Sequence, residues 1–144
     1  MYADYTFYTE TFYGTAIAEA DFPRLSSRAS DFIDYYTRGK AAKVTDETIL
    51  PILAKCCCAL AEQMQTDEQN AALAAKARET ALTSGTGEVK SESVGSWSVS
   101  YATAVDYAAK SAADAVNDAN AAYAAIALRY LANTGLLYRG GCCK

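Results

Sequence analysis

Apolar and polar positions along the chain follow two different periods. Between residues 19 and 38, Phe22, Leu25, Ala29, Phe32 and Tyr36, with Ile33 beside them, recur at three- and four-residue steps, which predicts an amphipathic helix. Pro23 falls in its first turn, where a missing N–H costs nothing; Glu19 and Asp21 suit the positive end of the dipole, and Gly39 supplies a stop. Residues 46–65 repeat the pattern with Leu50, Leu53, Cys57, Leu60 and Met64. Thr45 or Asp46 is a reasonable cap for this second helix, and Pro51 is tolerable only if the helix starts close before it. That stripe puts Cys57 in the core, Cys56 on its flank and Cys58 on the side of Ala54 and Ala61. Asp67 is then expected to cap a third, alanine-rich helix over residues 67–82, poorly buried because its large apolar residues are only Leu73 and Leu82.

The longest run covers residues 103–133. Val105, Ala109, Ala112, Val116, Ala119, Tyr123, Ile126 and Tyr130 alternate steps of four and three, and Ala127 and Leu131 widen the stripe. Unbroken, this would be a rod of about 45 Å at the α-helical rise. Asn117-Asp118 mark the place where it would break instead, since both residues favour caps over helix interiors. Gly135 provides a left-handed stop.

Only residues 88–101, EVKSESVGSWSVSY, show a two-residue alternation. Trp97, Val99 and Tyr101 would share one face of a strand and Ser96, Ser98 and Ser100 the other, with Gly95 at the turn. The fold class that follows is mainly α: a single domain built as a small bundle of about four helices, with one β-hairpin inserted before the long last helix. Residues 1–18 form an aromatic arm, with Tyr5, Tyr8 and Phe12 at helical spacing, that either packs over the helices or crosses to a neighbour. Residues 134–144 form a tail. A lone two-stranded ribbon is marginal in water, so the hairpin should lean on the helices or on another chain.

Composition narrows the chemistry. Much of the apolar half is alanine, which buries little surface, so the core should be thin and its helices closely spaced. A net charge of −4 argues against a nucleic-acid binder, which needs a basic patch to neutralise phosphates. With five cysteines and no histidine, and with the cysteines adjacent as Cys56-Cys57-Cys58 and Cys142-Cys143, the spacing suits no structural zinc site. They read as packing thiols in a reducing compartment. The loop Ser84-Gly85-Thr86-Gly87 lacks the lysine and the preceding strand of a phosphate cradle. No metal or cofactor site is expected. There is no membrane-length apolar run and no signal-peptide pattern, so a soluble protein made in a cytoplasm is expected.

Two surfaces are candidates for contact. Arg24, Arg28, Asp31, Asp34 and Arg38 line the polar face of the first long helix, either as a self-paired solvated row or as a contact between subunits. Leu136, Leu137 and Tyr138 follow a helix stop and precede Gly140-Gly141; they either fold back on the core or dock on a partner.

The segments VKSESVGSWSVSYA (residues 89–102) and RYLANTGLLYRGG (residues 129–141) resemble the head–tail connector, or head-completion adaptor, proteins of long-tailed bacteriophages and prophages, a group also associated with DNA packaging. The opening YADYTFYTETFYGTAI and DFPRLSSRASDFIDYYT (residues 21–37) fit the same group. Residues 66–87, the three adjacent cysteines, Pro51 and the terminal Cys-Cys-Lys depart from it. The resemblance implies a mainly helical virion subunit, present in the host cytoplasm during assembly, that joins a ring under the portal after packaging. Such a ring would follow the portal's twelvefold symmetry, extend the DNA channel without gripping DNA, and offer a platform to a head-closure or tail-completion protein. It also implies that Leu136, Leu137, Tyr138 and Arg139 reach toward the portal, and that Lys90, Glu92, Trp97 and Tyr101 contact a neighbouring subunit or the portal.

Two other classes compete. A helical adaptor or regulator would bind a non-virion protein through the Trp97 hairpin. An enzyme, without histidine, would need a carboxylate pair such as Glu88 and Glu92; the acids otherwise fall on solvated faces, so no catalytic role is expected.

Overall fold

The computed structural model describes the backbone of residues 1–83, 91–94, 97–100 and 104–138, and the side chains of residues 1–76, 79 and 117–138. The protein is mainly α-helical. Its α-helices are α1 (Tyr5–Glu10), α2 (Phe22–Tyr36), α3 (Leu50–Thr83) and α4 (Ala104–Leu131), with short 3-10 turns at Ala41–Lys43 and Ala132–Thr134. The turn of the expected hairpin, residues 95–96, and its flanks, residues 84–90 and 101–103, lie outside the described residues. The chain divides into two compact units, Met1–Glu68 with Ala121–Lys144, and Gln69–Asn120.

The first unit holds the described core. Asp4 caps α1 by accepting from Phe7 N at 2.8 Å. That places Tyr8, fully buried, against Phe22 with ring centroids 4.9 Å apart. The aromatic arm therefore packs over its own helices. Asp21 caps α2 without a side-chain bond, so the helix begins at Phe22 and not at residue 19; Pro23 sits in its first turn. The buried face of α2 is Phe22, Leu25, Ser26, Ala29, Ser30 and Ile33, while Phe32 and Tyr36 are only half-buried. The stripe is thus turned toward Ser26 and Ser30 relative to the apolar pattern. Their hydroxyls can be buried because each is satisfied: Ser26 Oγ donates to Ala3 O at 2.8 Å and Ser30 Oγ to Ser26 O at 2.7 Å.

The two expected helices over residues 46–65 and 67–82 are one helix, α3, of 34 residues. Asp46 forms a tight turn with Thr48 (Oδ1 to N 2.8 Å), the helix starts at Leu50, and Pro51 occupies its second position. Asp67 caps nothing. Inside the helix its carboxylate accepts from Gln63 Nε2 at 3.0 Å and from the Tyr123 hydroxyl at 2.7 Å, so it has no need of freed backbone N–H groups. Cys56, Cys57 and Cys58 are all fully buried as packing thiols, Cys57 in the expected stripe and Cys56 deeper than its flanking place suggests. Here α3 is buried over most of its circumference, with Lys55 left exposed, and Leu53, Ala54, Leu60 and Ala61 are buried with the cysteines. Beyond Glu68 every described side chain through Lys76 is exposed, Leu73 to 64 %.

Helix α4 is continuous through Asn117 and Asp118. In its last turns Ala127 and Leu131 are the fully buried positions, and Tyr123, Ile126 and Tyr130 are packed beside them, so the seam is centred on the residues that seemed to widen it. Gly135, at φ 72°, turns the chain back.

Candidate docking surfaces

The tail is the contact candidate described in most detail. Thr134 Oγ1 donates to Leu131 O at 2.8 Å and accepts from Leu136 N at 3.3 Å, and Tyr138 N donates to Gly135 O at 3.1 Å. This tight reversal drops Leu136 into the core and leaves Leu137 half-buried. Tyr138 is 67 % exposed, and its carbonyl accepts from the Lys40 ammonium. Leu136 thus folds back on the core, and the Tyr138 ring faces out. Arg139 lies outside the described residues.

Of the hairpin candidates, Lys90 and Tyr101 lie outside the described residues. For Glu92 and Trp97 only the backbone is described.

On α2 the charged row is not paired along its own helix. Arg24 grips Glu68 of α3 with two parallel bonds of 2.8 Å, Nη1 to Oε1 and Nη2 to Oε2, and Arg28 Nη1 also reaches Glu68 Oε1. The bonds from Arg24, with Arg28 adding to them, hold the Glu68 carboxyl down at about 2. Asp31 is exposed and is not drawn into this cluster. Asp34 instead accepts from the Tyr2 hydroxyl. Nothing local in the sequence marks Glu68 or Asp67 as partners of α2 and α4. Such pairings depend on how helices cross, and the expected cap at Asp67 hid them.

Burial pushes the Cys56 and Cys58 thiols up to about 12, which leaves them protonated packing groups. Cys57 Sγ lies 3.5 Å from both Ser26 Oγ and Ser26 O. A recess of about 270 Å³ at Met1, Tyr2, Ala3, Asp4 and Phe7 contains one carboxylate, Asp4, already committed to capping α1. Among the described residues no three cysteine, aspartate or glutamate side chains are grouped to hold a metal ion, and no helix is long and apolar enough to cross a membrane. Comparison of the chain with protein-family models, with curated proteins and with solved structures finds no match.

Proposed function

We propose that this chain is a structural subunit of a bacteriophage or prophage head–tail junction. It acts as an adaptor that assembles as a ring on the portal, extends the DNA channel after packaging, and receives the next head-closure or tail-completion protein. The observation that carries the reading is the joint occurrence of VKSESVGSWSVSYA and RYLANTGLLYRGG in one mainly helical chain. Their singly weak signals become specific in combination and in order.

Three physical features support it. A net charge of −4 suits a channel wall that must let DNA pass. The tail presents an exposed tyrosine ring, Tyr138, two residues after a leucine anchored in the core, Leu136, which fixes the place of a contact residue. The hairpin, a two-stranded ribbon with Trp97, is the second proposed contact, placed against a neighbouring subunit or the portal.

The test is assembly. Purified protein mixed with portal rings should co-sediment with them, and phage lacking the gene should fill heads yet fail to join tails. Tails that join normally without the protein would overturn the assignment. A stoichiometric complex with a non-virion protein, in particles that lack this chain, would replace it with the adaptor reading.

A further inference from the structure

Three helices meet at one short stretch of α3. Glu68 takes both Arg24 and Arg28 of α2, and its neighbour Asp67 takes Tyr123 of α4 at 2.7 Å. The Tyr123 ring in turn meets Phe32 of α2 edge-on, centroids 5.5 Å apart, which closes the circuit from α2 through α3 and α4 back to α2. Gln63, one turn earlier on α3, steadies Asp67 from within the helix at 3.0 Å. This circuit sits at the edge of the first unit. Among the described residues, Asp67 and Glu68 are partly buried and residues 69–76 of α3 are exposed; on α4, Asn120 and Ala121 are exposed, with Ala119 before them and Ala122 and Tyr123 after them partly buried.

Successive helix positions point about 100° apart, so adjacent acids can bind two different neighbours. We propose that Asp67 and Glu68 form a polar clamp that ends the cooperative core. The clamp holds the last core turn of α3 to both α2 and α4, so that this edge opens only when the clamp breaks. Local opening starts where few buried contacts hold an element, and a polar tie at such an edge stops it. The clamp is such a stop, a conformational device independent of the proposed virion role.

Amide hydrogen exchange on the full-length protein tests this with Glu68→Gln, Asp67→Asn and Tyr123→Phe, each compared with the unchanged chain. The expected result is exchange at least about tenfold faster at residues 64–68 and 121–125, with the amides of Leu53 to Leu60 unaltered, which also reports that each variant is folded. Two results would overturn the proposal. One is unchanged exchange at the edge in all three variants. The other is acceleration by the same factor throughout the first unit, which would make these bonds ordinary contributors to global stability.

Discussion

The Tyr8 hydroxyl donates to Glu62 Oε1 at 2.8 Å while accepting from Ala16 N at 3.0 Å and Ile17 N at 3.1 Å. One oxygen thus joins the arm, the loop that follows it and α3. Burial, reinforced by the Glu62 bond, pushes the phenol up to about 12. Tyr8→Phe keeps the ring and strands the buried Ile17 N–H together with part-buried Glu62. An unsatisfied buried group costs about 1–3 kcal/mol, and urea unfolding should show a midpoint lowered to match with little change in slope. An unshifted midpoint would mean that water replaces the hydroxyl.

Gly14 lies against the same ring. A Cβ there would stand 2.0 Å from Tyr8 Cε2 and 2.2 Å from Cζ, and the ring, fully buried, has nowhere to go. Gly14→Ala should therefore destabilise by roughly 1–3 kcal/mol or more through overpacking. The clash is specific to one pair, so combining Gly14→Ala with Tyr8→Ala should cost clearly less than the sum of the two single changes. Additive losses would place the penalty elsewhere.

How much of this was legible in the sequence depends on what each feature needs. Periodicity located α2 and α4 and the stop at Gly135, because an amphipathic stripe and a left-handed glycine are local statements. It failed at Asp67, where a residue with strong capping preference is satisfied from α4, fifty-six positions away. It also set Cys56 on the flank of the stripe and marked neither Ser26 nor Ser30, since an apolar pattern takes no account of hydroxyls satisfied by nearby carbonyls. For the surfaces, the pattern marked Leu136 and Tyr138 as noteworthy. Only the geometry of the reversal separates the anchor from the exposed ring.

The pH dependence of stability has two ends with opposite signs. Glu68 is held below its ordinary value of 4.5 at about 2, so the stability it contributes is present above about 4.5 and is lost as pH falls toward 2. Because Glu68 is more than a third exposed, salt should shrink this loss. At the alkaline end, Cys56 and Cys58 are raised from 9.0 to about 12, and Tyr8 and Tyr123 from 10.0 to about 12. Raised groups contribute fully below their unfolded values, so stability should start to fall near pH 9 with the thiols and continue through 10 with the phenols. Thermal melts from pH 2 to 11 check both ends. Glu68→Gln should flatten the acid limb and leave the thiol part of the alkaline one unchanged.

Burial also predicts how the three adjacent thiols react. Cys56, Cys57 and Cys58 have no accessible surface, so alkylation of the native protein followed by peptide mass spectrometry should leave all three unmodified, whereas denatured protein should label at each. Labelling rates in dilute urea should follow the population of unfolded chain. Rapid labelling of Cys56 or Cys58 in native buffer would show that α3 is less enclosed than its geometry requires.

Leu136 and Tyr138 stand two residues apart and should answer to different measurements. Leu136→Ala removes a side chain that is 9 % exposed and packed in the core of the first unit, and should cost about 2 kcal/mol or somewhat more, read as a lowered urea midpoint. Tyr138→Ala removes a ring that is mostly in water and should leave stability within about 0.5 kcal/mol. If the tail docks on the portal as proposed, it is Tyr138→Ala that should weaken co-sedimentation with portal rings. A folded Tyr138→Ala protein that binds those rings as well as the unchanged chain would remove the tail from the proposed contact and leave the hairpin to carry it.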